Sequence, residues 1–182
     1  MNLTEKQLEK NYIYNGRILN LRRDVVLLPN GKTAYREIVE HNGGVCIAPL
    51  TDNDELIFVR QFRYPYMEEV LELPAGKRDS LDEDPKECGI RELKEETGAC
   101  AKKVIPLGEL YPTPGYCEEI IWLYLATGLT YGSQDPDEDE FLELEKIPLE
   151  KAVEMVISGE IKDAKTQATI LKIKYLKDNG IL

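Results

Sequence analysis

The chain of 182 residues carries 34 acidic against 23 basic side chains, a net charge of −11, and 42% of its residues are hydrophobic. That length fits one domain, or one domain with a small extra lobe, and the apolar content suffices for a real core. The acidic balance argues against a nucleic-acid or anionic-membrane surface, which needs a basic footprint, and a polyanionic ligand would require an intervening cation.

The opening segment, MNLTEKQLEKNY, is polar and has no apolar stretch of the secretory kind. No later run approaches the roughly eighteen apolar residues of a membrane span. Cys46, Cys88, Cys100 and Cys117 lack CxxC spacing and are expected to be reduced, mostly buried thiols. A soluble, cytoplasmic protein is expected.

RILNLRRDVVLL and TAYREIVEH flank Pro29-Asn30-Gly31-Lys32 and predict a hairpin. GVCIAPL and LIFVRQF, around the Asp- and Asn-rich TDNDE, predict a second one. EVLEL is a short strand running into a break at PAG, Pro74 to Gly76. Asp84, Pro85 and Glu87 then form a helix start, with N-cap, N1 and N3 residues in order, and Gly98 suits the stop. KKVIPLGELY and EIIWLYLATG predict two strands, with Trp122 expected in the core, and His41 is expected in a loop. The acidic loop GSQDPDEDE precedes a strand, FLELEKI. PLEKAVEMVISGEI and DAKTQATILKIKYLKD carry helical spacing. The expected class is α/β of the α+β type, built on a mixed, mainly non-parallel sheet.

Within the central helix, at about 100° per residue, Glu92, Glu95 and Glu96 share one stripe, while Ile90 and Leu93 lie on a flank that can enter the core. Like charges four apart cost a helix roughly 0.2–0.5 kcal/mol per pair. Arg91 can pair with Glu95, and Glu83 precedes the N-cap. A solvated Glu/Lys face accounts for such a string equally well. The second cluster, Asp135, Asp137, Glu138, Asp139 and Glu140, taken alone fits a hydrated turn. Hard divalent cations, however, seek several carboxylate oxygens, and Mg²⁺ combines one or two carboxylates with waters and substrate phosphates.

GKRDSLDEDPKECGIRELKEETGA, Gly76 to Ala99, resembles the Nudix box. Glu83, Arg91, Glu92, Leu93, Glu95, Glu96 and Gly98 fall in the box's register. Six residues separate Gly76 from Glu83, one more than the family usually places there, and Ala99 is small for the final aliphatic position. KTAYREIVEH, VRQFRYP, ELPAGK, YPTPGYCEE with Pro114, DEDEFLEL and GEIKDAKT are similar to the family's ADP-ribose pyrophosphatase branch. The resemblance implies an α/β/α sandwich around a mixed sheet. An N-terminal strand and hairpin region, residues 1–42, would be exchanged in a homodimer, and residues 43–182 would form the hydrolase domain.

It further implies Mg²⁺-dependent hydrolysis of ADP-ribose to AMP and ribose 5-phosphate, with Mn²⁺ as a possible substitute for Mg²⁺. The ligands implied are Glu92, Glu95, Glu96, Glu140 and the Ala75 carbonyl, with Glu83 and Arg91 orienting them. Glu138 matches the general base, though Glu138 and Glu140 could exchange roles; Glu95 joins them in the catalytic set. Arg36, Glu37, Arg63, Lys77, Thr113, Gly115 and Glu119 match substrate contacts, Arg36 and Glu37 across the dimer interface. Hydrolysis of another nucleoside-diphosphate sugar, such as GDP-mannose, and a non-catalytic nucleotide sensor are the alternatives.

Overall fold

The computed structural model describes residues 2–136 and 140–182. The chain divides into two compact units, Met1–Gly43 with Tyr111–Ile120, and Gly44–Leu110 with Ile121–Leu182.

The first unit is an antiparallel sheet of β1 (Lys6–Asn15), β2 (Asn20–Leu27) and β3 (Thr33–Glu40), in that order. The β2–β3 hairpin forms as expected, and Gly31 takes the positive φ of 81° that its turn requires. β1 is a strand that the polar opening segment did not announce. All ten of its residues are exposed, so no apolar alternation marks it. Residues 111–120 run beside β3, exchanging hydrogen bonds between Val39 and both Tyr116 and Glu118.

In the second unit, β7 (Ala75–Lys77), β4 (Gly44–Pro49), β9 (Ile121–Tyr131) and β8 (Ala99–Leu110) form a four-stranded sheet in that spatial order. β4 and β9 pair in parallel and the outer pairs are antiparallel. A second sheet holds β10 (Glu143–Pro148), β5 (Glu55–Arg63) and β6 (Glu68–Glu72). The expected second hairpin is therefore not a ladder. β4 is buried throughout, and its two edges are already occupied by β7 and β9. The isolated bridge Leu50–Leu56 and the bond from the Thr51 N–H to the Glu55 carbonyl join the ends of the expected arms. The PAG break is also corrected: Ala75 and Gly76 belong to β7, opposite Cys46 and Val45.

Alternation along β4 and β9 assigns the two faces of the larger sheet. Val45, Ile47, Tyr124 and Ala126 pack with Cys88 and Leu93 of α1 (Pro85–Thr97). Cys46, Ala48, Leu123 and Leu125 pack with residues of α2 (Leu149–Ser158) and α3 (Ala164–Asp178), among them Ala152, Ile170 and Ile173. Helices thus cover both faces, the α/β/α arrangement. Ile90, expected on the core flank of α1 beside Leu93, is exposed. Trp122 is half-buried against the smaller cluster. Two of the four free cysteines, Cys46 and Cys88, are buried; Cys100 is exposed and Cys117 intermediate. Among the described residues no helix is long and apolar enough to cross a membrane.

Candidate active site

α1 carries the acidic stripe, and its ends are set locally. The Asp84 carboxylate accepts from the N–H groups of Lys86 and Glu87 at 2.8 and 3.2 Å, and Pro85 follows as the first helical residue. Gly98 stops the helix at φ 69°, its N–H donating to the Lys94 carbonyl. With Cys88 and Leu93 seated in the core, the rotation of the helix is fixed. Glu92 and Glu96 face β7 as a result.

The fit there is close. The Ala75 N–H donates to Glu96 Oε2 at 3.1 Å. Gly76 stands against the Glu92 carboxylate with no room for a Cβ. Glu92 is 8% exposed and Glu96 1%. Burial pushes the Glu92 carboxyl up to about 7, with the charges of Glu95 and Glu140 adding to it and Arg91 opposing it. Burial and then the charge of Glu92 push Glu96 up to about 8, against the Ala75 N–H.

Arg91 binds the stripe together. Its Nη1 donates to Glu92 Oε1 at 2.8 Å and to Glu95 Oε2 at 2.9 Å. Its Nε and Nη2 reach Glu83 Oε1 at 3.4 and 3.3 Å, and Nη2 also reaches the Lys77 carbonyl at 3.3 Å. The orienting pair expected from the sequence is thus in contact.

The acidic loop begins on the end of α1. Gly132 donates to the Gly98 carbonyl at 2.7 Å, Asp135 to Glu95 at 3.0 Å, and the Gln134 amide to Glu96 at 2.5 Å. These bonds occupy carbonyls that a helix C-terminus leaves without partners. Glu140 adds its negative charge to both Glu92 and Glu96. Glu138, with Asp137 and Asp139, lies outside the described residues.

Arg63 is engaged bidentately by Glu72, at 2.6 and 2.7 Å, and Lys165 closes on the same carboxylate. Burial pushes Glu72 up, but Arg63 and Lys165 outweigh it and hold this carboxyl below its usual range. Sequence reasoning found Arg63 and missed Glu72, Lys165 and Gln134. Ninety-three positions separate Glu72 from Lys165, and no local pattern spans that interval. Lys77 lies in β7 with an exposed side chain.

The remaining candidates belong to the first unit. Arg36 pairs with Glu5, its Nε donating at 2.9 Å, and Glu37 is exposed on β3. The Thr113 carbonyl accepts from the N–H of Cys117 at 3.0 Å, and Gly115 has open space around it. Glu119 stands 3.3 Å from the loop residue His41.

Among the described residues, no three His, Cys, Asp or Glu side chains are grouped as an ion cage by themselves. Mg²⁺ typically draws only one or two carboxylates from the protein and completes its shell with waters and phosphates. The donor set fits such a cation. Its oxygens are hard, burial raises two of its carboxyls so that a cation would stabilise their charged forms, and the glycine at 76 leaves the room that the Glu92 carboxylate occupies.

Residues 40–169 match the NUDIX domain family, and residues 5–39 match the nucleoside diphosphate sugar hydrolase N-terminal domain. The chain is 41% identical to an ADP-ribose pyrophosphatase of Bacillus subtilis (strain 168), over 92% of this chain and 91% of that one. It is 37% identical to a methanol dehydrogenase activator of Bacillus methanolicus, over 95% and 92% of the two chains. A crystal structure of an ADP compounds hydrolase shares the fold, with a TM-score of 0.85 over the whole of both chains at 24% identity. With Arg91, Glu92, Leu93, Glu95 and Glu96 on one capped helix and residues 40–169 matched by the family, the chain belongs to the Nudix hydrolases.

Proposed function

We propose that this protein hydrolyses the pyrophosphate bond of ADP-ribose, giving AMP and ribose 5-phosphate, with Mg²⁺ as its cation and Mn²⁺ as a substitute. The observation that carries the reading is the pair of buried carboxyls set against β7, Glu92 held by Arg91 and Glu96 by the Ala75 N–H. The choice of substrate follows the 41% identical pyrophosphatase. Glu92, Glu95, Glu96 and Glu140, with the Ala75 carbonyl, would hold the cation. When bound, the cation neutralises phosphate oxygens and makes water a better nucleophile.

The chain's own residues do the remainder. Arg91 fixes the rotamers of Glu92 and Glu95, and Glu83 fixes Arg91. Glu138, or Glu140 in exchange, takes the proton of the attacking water as its oxygen adds to phosphorus and the bridging oxygen leaves. Arg63, held by Glu72, would contact a phosphate or a ribose of the substrate, and Lys77 would contact the substrate as well. Arg36 and Glu37 would reach the substrate across the dimer interface, and Thr113, Gly115 and Glu119 would contact the terminal ribose.

We further assign a cytoplasmic homodimer formed through an N-terminal region of residues 1–42. The fully exposed β1, with Leu8, Tyr12, Ile13 and Tyr14 uncovered, supports that assembly, and sedimentation would test it. A second reading, a nucleotide-binding module acting on a partner enzyme, has the activator of Bacillus methanolicus in its favour. The retained carboxylates favour turnover. Incubation with Mg²⁺ and a panel of ADP-ribose, GDP-mannose and other nucleoside-diphosphate sugars, ranked by kcat/KM, separates these readings. AMP release fastest from ADP-ribose is expected; binding without turnover, or a faster alternative substrate, would overturn the proposal.

A further inference from the structure

The loop between β7 and α1, residues 78–84, carries the residue by which this box exceeds the family's usual spacing. Asp79, Ser80, Leu81 and Asp82 are exposed, but Arg78 is 8% exposed. A buried guanidinium is costly unless its charge and donors are met. Here Nε donates to the Glu83 carbonyl at 2.8 Å and Nη2 donates to the Leu81 carbonyl. The guanidinium also lies 5.0 Å from the centre of the Trp122 ring, a cation–π stack. Trp122 is itself anchored, between β4 and β8 in the sheet and through its indole N–H, which donates to Glu109 at 3.2 Å.

Glu83 is therefore gripped at both ends. Arg78 holds its carbonyl, while the Asp79 N–H, at 2.7 Å, and Arg91 hold its carboxylate. Contacts run from Trp122 through Arg78, Glu83 and Arg91 to Glu92 and Glu95. The chain is also uneven. Arg91 stands 2.8 and 2.9 Å from Glu92 and Glu95 but 3.3 and 3.4 Å from Glu83. Charge-assisted bonds settle near 2.7–2.9 Å, so the Glu83 contact has room to tighten once Arg91 shares the other two carboxylates with a cation.

We propose that Arg78 is a positioning residue for the cation-holding carboxylates, and that its stack on Trp122 shifts when a divalent cation arrives. The proposal rests on the metal-holding role given above to Glu92 and Glu95. It assigns the longer loop a purpose: the added length is anchored by one buried arginine. Trp122 is the chain's single tryptophan, so its emission is an unmixed report of the stack.

The test uses the full chain stripped of metal with chelator, then titrated with Mg²⁺, alone and with AMP present, by calorimetry and tryptophan emission in parallel. In the wild type the emission should change and saturate at the calorimetric Kd. Arg78→Met should lose that change and weaken Mg²⁺ about tenfold or more, the usual effect of removing an outer partner of a metal site. Arg78→Lys should not restore it, since an ammonium lacks the planar fork that bridges two carbonyls while stacking. In turnover, the deficit should fall on the half-saturating Mg²⁺ concentration more than on the KM for nucleotide. Constant wild-type emission through a titration in which calorimetry records uptake would overturn the proposal, as would a folded Arg78→Met with wild-type Mg²⁺ affinity. If Arg78→Met does not fold, the wild-type emission decides. Absence of any Mg²⁺ uptake by the wild type would remove the metal-site reading itself, and this proposal with it.

Discussion

Raising the pH of the cation-stripped protein should destabilise it, opposite to the behaviour of an ordinary salt-bridged carboxylate. Burial holds Glu92 at about 7 and Glu96 at about 8 in the folded chain, against 4.5 for an unperturbed glutamate. Between about pH 4.5 and 8 the folded state therefore keeps protons that the unfolded state has released, and stability must fall as pH rises. At about 1.36 kcal/mol per pKa step, the loss is about 3 kcal/mol for Glu92 and about 5 kcal/mol for Glu96. The charge of Glu92 enters the Glu96 value, whereas no Glu96 charge enters the Glu92 value, and a coupled pair titrates as a unit; taking Glu96 alone, the loss is already about 5 kcal/mol. That is a large share of the roughly 5–15 kcal/mol that holds a domain together. Glu72 has the opposite sign, but its depressed pKa acts below the ordinary carboxylate range and leaves this window untouched. Urea unfolding in chelator at about pH 5.5, 7 and 8.5 reads the effect directly. The midpoint should drop across the series, and added Mg²⁺ should recover it at the alkaline end. Glu96→Gln should flatten the series and be more stable than wild type at the highest pH, having lost activity. A wild-type midpoint that holds or rises with pH, or a Glu96→Gln series as steep as wild type, would refute the reasoning.

A methyl group at position 76 would overlap the Glu92 carboxylate. Gly76→Ala should therefore lower kcat/KM on the order of a hundredfold through the displaced ligand, with little change in Tm because Gly76 does not have positive φ. A rate within a factor of two of wild type would contradict that geometry. Glu96→Gln should abolish activity by weakening the cation, whereas Glu138→Gln should cut kcat and leave calorimetric Mg²⁺ affinity nearly intact; equal loss of affinity in both would reassign the loop. Asp84→Ala removes the acceptor of two N–H groups at the start of α1 and should cost about 1 kcal/mol in urea unfolding.

The helix that carries the site was legible because its signals are local. Asp84, Pro85 and Gly98 mark its ends within the sequence, and the box residues recur at helical spacing along it. What failed depended on partners far along the chain. β4 and β5 are consecutive apolar runs with a turn between them, as a hairpin would be, but β9 and β7 had already claimed both edges of β4. The exposed β1 carries no alternation to detect. Arg78, in a polar loop, has the composition of a solvated residue, and its burial follows from Trp122, which arrives on another strand. Glu72 was likewise only one letter in ELPAG until α3 delivered Lys165 to it.

The two buried carboxyls are not equivalent, and the difference bears on how a cation would be taken up. Glu92 shares Arg91 with Glu95, so part of its charge is met by a guanidinium before any ion arrives. Glu96, the more buried of the two, is met by the Ala75 N–H at 3.1 Å, while the nearby Arg63 is committed to Glu72. Its proton is consequently the harder to remove, and near neutral pH it stands between the apo protein and cation binding. Cation uptake should release protons, more of them at pH 7 than at pH 9, and calorimetric enthalpies should vary with buffer ionisation enthalpy accordingly. The acidity of the whole chain, −11, leaves this local arrangement as the reason a second negative partner, a diphosphate, could approach at all. A cation that displaces the Glu96 proton would offset the buried negative charge so exposed and create an attractive field for phosphate in the same event.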